Sequence, residues 1–323
     1  MTTIFNYMKI FLSKINESWI VDRLKDEWSE FNAETVVKNI KKADIVWIIS
    51  PWLWKKISKK YLKTKKVVCS IYHLQESDFT DKNIKEFKKR DQFVDVYHVI
   101  SPITKKELSK LTDKEIVYIP FWVNQNIWFQ IDNKIELREN FNIKDESFVV
   151  GSFQRDTEGS DLVSPKLIKG PDRFMEIVKY LNEEKENLLV LLTGKRRGYL
   201  INELEKANID FLYFEMANFK TLNKLYNSLD LYIVSSRTEG GPQAIVECGI
   251  TKTPVISTNV GIASEILAKE SIFDMSNYKN SKPNIDTAYE NSLKLTIPKG
   301  FDEYIKMFKN LYNYVHFCGQ NYR

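Results

Sequence analysis

Two glutamates, Glu239 and Glu247, stand eight residues apart in the stretch Ser235-Ser236-Arg237-Thr238-Glu239-Gly240-Gly241-Pro242-Gln243-Ala244-Ile245-Val246-Glu247. The interval itself means little, because Glu107/Glu115 and Glu176/Glu184 repeat it in the same chain. The context carries the signal. A Leu-Tyr-Ile-Val strand leads in, Gly240 and Gly241 form a turn, and Pro242 suits the first position of a helix. Free N–H groups at a helix start, beyond the carboxyl edge of a parallel sheet, are where α/β proteins take phosphorylated ligands. The two glycines let a ligand approach the backbone. A carboxylate in that position repels phosphate, so Glu239 and Glu247 suit sugar hydroxyls, to which ionised carboxylates give strong hydrogen bonds. The competing interpretation is that Glu239 only offsets the helix dipole and Glu247 faces water.

Such residues need a scaffold, and the rest of the chain outlines one. Short apolar runs alternate with helix-length polar segments throughout the 323 residues, the rhythm of parallel sheets with crossover helices. Strands are expected at Met8–Ser13, Asp44–Ser50, Lys66–Tyr72, Val94–Ile100 and Ile116–Ile119, then at Phe148–Ser152, Leu188–Thr193, Asp210–Phe214, Leu231–Ser235 and Pro254–Ser257. Helices are expected to begin near Pro171, Gly198, Phe219 and Pro242. The rhythm breaks between Pro120 and Ile131, which places a domain boundary near 130 to 147. The expectation is an α/β chain with a Rossmann-like domain over 1–140, a second over 141–300, and a last helix over 301–323. That helix carries Phe301, Tyr304, Ile305, Phe308, Leu311 and Tyr312 on one face and should pack across or back onto the first domain. Polar Asp156–Pro165 is a long connection between a strand and its helix, and such loops are often functional.

The stretch Ser235 to Glu247, with Cys248-Gly249, Pro254-Val255-Ile256 and Gly261 to Glu265 behind it, resembles the Glu-x7-Glu region of family 4 of the retaining glycosyltransferases. Upstream, Gly151-Ser152-Phe153-Gln154-Arg155 and Pro165-Lys166-Leu167-Ile168-Lys169-Gly170-Pro171-Asp172 resemble that family's phosphate-binding strand and its Arg…Lys-Gly element. The resemblance covers most of residues 116 to 275. It implies a GT-B fold, two Rossmann-like domains facing across a cleft, with nucleotide sugar on the second domain and acceptor on the first. It also implies that Glu239 contacts the donor sugar, Glu247 the ribose, and Arg155 and Lys169 the diphosphate, with Ser152, Gly240, Gly241 and Pro242 at the donor. A departing nucleoside diphosphate gathers negative charge, which either a metal or fixed cations must stabilise. No Asp-x-Asp pair occurs in the sequence, so no metal or other cofactor is expected, and Arg155 and Lys169 supply the charge. Lys166 reads evenly as a third cation or as surface charge. His73, just after an expected strand, reads evenly as a structural residue or as the catalytic-side histidine that family members often place against the donor sugar. His98 sits inside an apolar strand and reads as core, and His316 has no informative context. Family members open with a Gly-Gly loop after their first strand. Ser13-Lys14-Ile15-Asn16-Glu17-Ser18-Trp19 stands there instead, a departure from the family pattern at the place where members make acceptor or phosphate contacts.

Charge and composition set the remaining bounds. Residues 1–130 hold 23 Lys+Arg against 16 Asp+Glu, net +7, whereas the rest is at −2 of the total +5. Seven of those lysines lie between Lys55 and Lys66. Read as one helix over Trp52–Lys63, the segment puts Lys55, Lys56, Lys59, Lys60 and Lys63 on one face and Leu53, Trp54, Ile57, Tyr61 and Leu62 on the other, a surface suited to anionic membrane or to plain solubility. Nucleic acid is a lesser option. Residues 1–7 show no signal-peptide pattern, no apolar run reaches the ~20 residues of a membrane span, and three separated cysteines form no disulfide framework, so a cytoplasmic protein is expected, peripheral on the membrane at most. The function expected is a retaining, metal-independent glycosyltransferase of polysaccharide biosynthesis, using a UDP- or GDP-linked sugar and a glycan or lipid-linked acceptor. The rivals are a sugar-nucleotide epimerase of the same fold and a non-catalytic nucleotide- or carbohydrate-binding homologue.

Overall fold

The computed structural model describes residues 8–13 and 20–318. The chain forms two compact units, one ending at Phe121 and resuming at Pro298, the other Trp122–Ile297. Each is built on a parallel sheet with helical connections, the Rossmann-like α/β arrangement that the alternating pattern predicts. Residues 1–7, most of the Ser13–Trp19 segment, and the side chain of His316 fall outside the described residues. Among the described residues no helix is long and apolar enough to cross a membrane.

In the first unit, β1 (Ile10–Leu12), β2 (Ile45–Ile48), β3 (Lys66–Ile71), β4 (Val96–Val99) and β5 (Glu115–Tyr118) lie side by side in chain order. Both faces are covered, which is why Ile45-Val46-Trp47-Ile48 is apolar throughout rather than alternating. One face carries Cys69 and Tyr97, with Phe87 of the helix Asp81–Asp91 stacked on Tyr97 at 5.6 Å. The other carries Trp47, Ser70 and His98. It packs on the helix Asp302–Cys318, whose Phe308 ring lies 5.2 Å from Trp47 and whose Tyr304 ring lies 4.8 Å from His98. Trp28, from the helix Ile20–Phe31, joins the same aromatic cluster at 5.3 Å from both Trp47 and Phe301.

The lysine-rich segment is not one helix. It forms a 3-10 stretch, Pro51–Lys56, and a short α-helix, Lys59–Thr64, separated by extended backbone at Ile57. The break lets Leu53, Trp54 and Leu62 all reach the interior, while Trp52 stays half exposed. The lysines are therefore divided between two short elements, and Lys55 is paired with Glu86 at 2.8 Å. No continuous basic helix face exists here.

In the second unit, β6 (Phe148–Ser152), β7 (Leu188–Thr193), β8 (Phe211–Phe214), β9 (Leu231–Val234), β10 (Val255–Thr258) and β11 (Ile272–Phe273) take the order β11-β10-β9-β6-β7-β8. The two-residue β11 is too short to leave a periodic signal in the sequence. Residues 122–147 pack within this unit. Trp128 is fully buried 5.6 Å from Tyr226, and the Arg138 guanidinium binds the Ser228 carbonyl at 3.1 Å and Asp230 at 2.5 Å. The helix bearing Glu247, Gln243–Thr251, crosses the helix Ile285–Leu293 at Gly249, where a Cβ would strike the Ser292 hydroxyl and come within 2.8 Å of the Ala288 carbonyl. The helix begins at Gln243, one residue after the expected start; Pro242 is its N-cap in extended conformation.

The buried polar groups of the first sheet form a closed chain. Trp47 Nε1 donates to Ser70 Oγ at 2.8 Å, Ser70 Oγ lies 2.9 Å from His98 Nδ1, and His98 Nε2 lies 2.9 Å from the Ile119 carbonyl. A carbonyl only accepts, so Nε2 carries the hydrogen and Nδ1 receives the Ser70 hydroxyl. His98 is thus a core residue held neutral. Burial brings its imidazole from the ordinary 6.5 down to about 4. Between those values the unfolded chain binds a proton that the folded chain does not, so stability falls as pH drops through this window, by about 3 kcal/mol at its lower end. Urea denaturation from pH 7 to pH 4 should show that slope flattened in His98→Gln; an unchanged slope would place its origin in other groups.

Candidate functional site

The chain winds from β6 through β7 to β8 in one direction and then returns to place β9 on the other side of β6. Connections leaving β6 and β9 therefore diverge, and the crevice between their carboxyl ends is where open α/β sheets bind ligands. Ser152 ends β6 and is followed by Phe153-Gln154-Arg155; Val234 ends β9 and is followed by Ser235 to Glu239.

Two loops are cross-linked at this rim. The Arg237 amide donates to the Ile168 carbonyl at 2.8 Å, the Ser235 hydroxyl to the Gly170 carbonyl at 2.8 Å, and the Arg237 guanidinium grips both Asp172 carboxylate oxygens at 2.7 and 2.6 Å. Gly170 sits at φ 65°, and any Cβ there would collide with the Ser235 carbonyl. Only glycine permits that approach at that backbone angle. The result brings Lys169 onto Glu239, Nζ to Oε1 2.5 Å, with the Ser236 hydroxyl donating to the same oxygen at 3.0 Å. Gln154 Nε2 holds the Lys169 carbonyl at 3.0 Å.

Positive charge gathers beside this pair. Lys166 is half-buried, and its ammonium is pushed below the ordinary lysine range, first by burial and then by the like charges of Arg155 and Lys169. Arg155 is exposed, its Nε donating to the Thr157 carbonyl at 2.6 Å. Mutually repelling cations are relieved by an anion. The first turn of Gln243–Thr251 has no side-chain cap, and its Gly240–Pro242 entry rests on Gly261, where a Cβ would lie 2.7 Å from Pro242 Cδ and 2.9 Å from Gly241 Cα. Glu247 is 5% exposed rather than solvent-facing, and its carboxylate accepts from the Tyr226 hydroxyl at 2.9 Å. Burial and the Glu247 charge hold Tyr226 well above its ordinary value, so it remains a donor.

Arg155, Lys166, Lys169, Glu239, Gly240, Gly241, Pro242 and Glu247 all follow or flank the switch-point strands of the second unit. Ser152 does so too, but its side chain is buried and accepts from Arg197 Nη2 at 3.4 Å. His73 belongs to the first unit, exposed and two residues beyond the end of β3. Several contributors carry roles that the sequence pattern does not assign: Ser236, Gln154 and the Arg237–Asp172 pair lie inside the motif stretches, Asp156 opens the long connection after β6, and Tyr226 and Arg197, the latter paired with buried Asp156 at 2.7 Å, lie outside them. Arg197 left one sequence trace, the Lys195-Arg196-Arg197 cluster directly after an expected strand. The partners are 41 to 82 residues apart in several of these contacts, so spacing could not join them. Among the described residues no cluster of three or more His, Cys, Asp or Glu side chains is arranged to hold a metal ion.

Residues 164–307 match the family described as glycosyl transferases group 1. Over 202 residues the chain is 27% identical to the O-antigen biosynthesis glycosyltransferase WclY of Escherichia coli, covering 58% of this chain and 53% of that protein, so it spans about half the length of that relative. In fold it is similar to Anabaena Alr3699/HepE in complex with UDP and glucose, with a TM-score of 0.69 at 13% identity over 94% of this chain and 100% of that one. It is also similar to sucrose-phosphate synthase of Thermosynechococcus elongatus, with a TM-score of 0.65 at 14% identity over 94% and 81% of the two chains. The structural likenesses show the GT-B fold, and the family likeness is confined to residues 164–307.

The loop cross-link makes one residue decisive. Gly170→Ala combines an unfavourable positive φ with a backbone collision and should destabilise the second unit by roughly 2 kcal/mol or more. A denaturation midpoint within error of the parent would show that the two loops tolerate separation there.

Proposed function

We propose that this chain is a retaining, metal-independent glycosyltransferase that binds a nucleotide sugar at the β6/β9 crevice of its second unit and transfers the sugar to a hydroxyl of a glycan or lipid-linked acceptor. The observation that carries the reading is the meeting of Lys169 and Glu239 on one rim, with Arg155 and Lys166 beside them: cations for a diphosphate next to a carboxylate for sugar hydroxyls. The structural likeness to a protein solved with UDP and glucose favours a uridine nucleotide, with guanosine as the other choice. The O-antigen transferase relative favours a glycan acceptor and a place in polysaccharide synthesis. In this reading the nucleotide's ribose hydroxyls reach Glu247, whose position Tyr226 fixes.

As the glycosidic bond to the donor breaks, charge develops on the outer phosphate, where Arg155, Lys166, Lys169 and the N–H groups of the helix Gln243–Thr251 stabilise it. Glu239 holds the donor sugar's hydroxyls and is partly neutralised by Lys169, so it orients the sugar without repelling the phosphate. The leaving phosphate takes the proton of the acceptor hydroxyl while that oxygen bonds to the anomeric carbon on the face from which the phosphate departs, which retains configuration. His73 and the acceptor belong to the first unit in this proposal.

Release of UDP or GDP from a panel of nucleotide sugars tests the reading. Glu239→Gln should lower turnover by at least about 100-fold while leaving UDP affinity within a few-fold, the behaviour expected when an interaction acts on the sugar rather than the nucleotide. Near-normal turnover in that variant would remove Glu239 from the mechanism. Lys166 gives a second check: because its ammonium is already depressed, UDP affinity should weaken as pH rises through the alkaline range, and Lys166→Arg should retain affinity there because guanidinium stays charged. Identical alkaline profiles would show that Lys166 does not contact the ligand.

A further inference from the structure

Residues 156–166 form a pinned hairpin rather than an open loop. Lys166 N donates to the Asp156 carbonyl at 2.7 Å, Glu158 N to the Ser164 carbonyl at 3.0 Å, and Thr157 and Pro165 make an antiparallel bridge. Its mouth is therefore Asp156 opposite Lys166, with Arg155 immediately outside. The position of Asp156 sets the position of both cations.

Asp156 is in turn held by a side chain that has no part in the proposed transfer step. Arg197 is 1% exposed and uses its planar fork in three directions: Nε to Asp156 Oδ2 at 2.7 Å, Nη1 to the Thr193 carbonyl at 3.0 Å, Nη2 to Ser152 Oγ at 3.4 Å. Those partners are the first residue of the hairpin, the last of β7 and the last of β6. The next residue back in the chain adds a second attachment, since the Arg196 carbonyl accepts from Asp156 N at 3.3 Å and from Thr157 Oγ1 at 3.1 Å with Arg196 at φ 65°. On the other side Gly198 leaves room only for the Leu162 carbonyl at the hairpin's far turn. A buried ion pair adds little net stability over apolar side chains of equal volume, so fold stability alone does not account for charges here. Geometric fixing of two repelling cations does.

We propose that Arg197 is a positioning residue which, through Asp156, clips the hairpin to the ends of β6 and β7 and thereby sets Arg155 and Lys166 against the outer phosphate of the bound nucleotide. The inference rests on the reading of this rim as a diphosphate site. Lysine cannot substitute, because one ammonium has neither the plane nor the reach for three acceptors in fixed directions.

Calorimetric affinities for UDP and UMP, with GDP and GMP in parallel, isolate the outer phosphate as the ratio between diphosphate and monophosphate. Arg197→Lys should reduce that ratio at least ten-fold while leaving monophosphate affinity within two-fold. In an Arg155→Ala/Lys166→Ala background the same change should reduce the ratio by less than two-fold, because the residues it positions are gone. A charge-neutral Asp156→Asn/Arg197→Gln pair should behave like Arg197→Lys and serves if that variant fails to fold. An unchanged ratio, an equal loss for both ligands, or the same loss in both backgrounds overturns the positioning role while leaving the diphosphate site standing. If Arg155→Ala/Lys166→Ala itself leaves the ratio unchanged, or if neither diphosphate binds, the diphosphate site fails and the positioning role fails with it.

Discussion

Where a parallel sheet reverses its winding direction, two adjacent strands send their connections away from one another, and the residues just beyond each strand are left facing the same crevice. The candidate site of this chain depends on that single topological event, between β6 and β9. Residues separated by 70 positions, Lys169 and Glu239, meet because each lies in a loop drawn to that rim. Hydrogen bonds to the backbone at Ile168 and Gly170, rather than the charges themselves, determine that the loops touch. An ion pair that is part-exposed contributes little to holding a fold together, so its placement is a result of the loop packing, not its cause.

The first unit works under a different constraint. Its strands run in chain order with no reversal, and its sheet must be covered on both sides. The polypeptide solves this by returning from the second unit at Pro298 to lay a final helix over Trp47 and His98. Placing a serine, a tryptophan N–H and an imidazole in that interior is tolerable because each finds a partner, ending on a backbone carbonyl.

Much of the architecture is legible in the sequence. Ten apolar runs fall on β1 to β10, and the helices beginning at Pro171, Gly198 and Phe219 start where proline, glycine and the apolar pattern place them. The lysine segment departs from its helical pattern because periodicity alone cannot reveal an extended step at Ile57, which only the need to bury both Trp54 and Leu62 imposes. Glu239 can be found by its surroundings, a strand end followed by glycines, and Lys169 by the resemblance of residues 165–172 to a family element. Tyr226, Arg197 and Asp172 cannot, since each acts through a partner far away in the chain. A contact between two side chains distant in the chain leaves no spacing to read, even where, as at Asp172, one of them lies within a motif.

The helix that carries Glu247 meets another helix at Gly249, where the Ser292 side chain and the Ala288 carbonyl fill the space a Cβ would need, so the depth of that carboxylate is set by how closely the two helices approach. Any change that thickens the crossing at position 249 would therefore be felt at Glu247, half a turn away on the same helix.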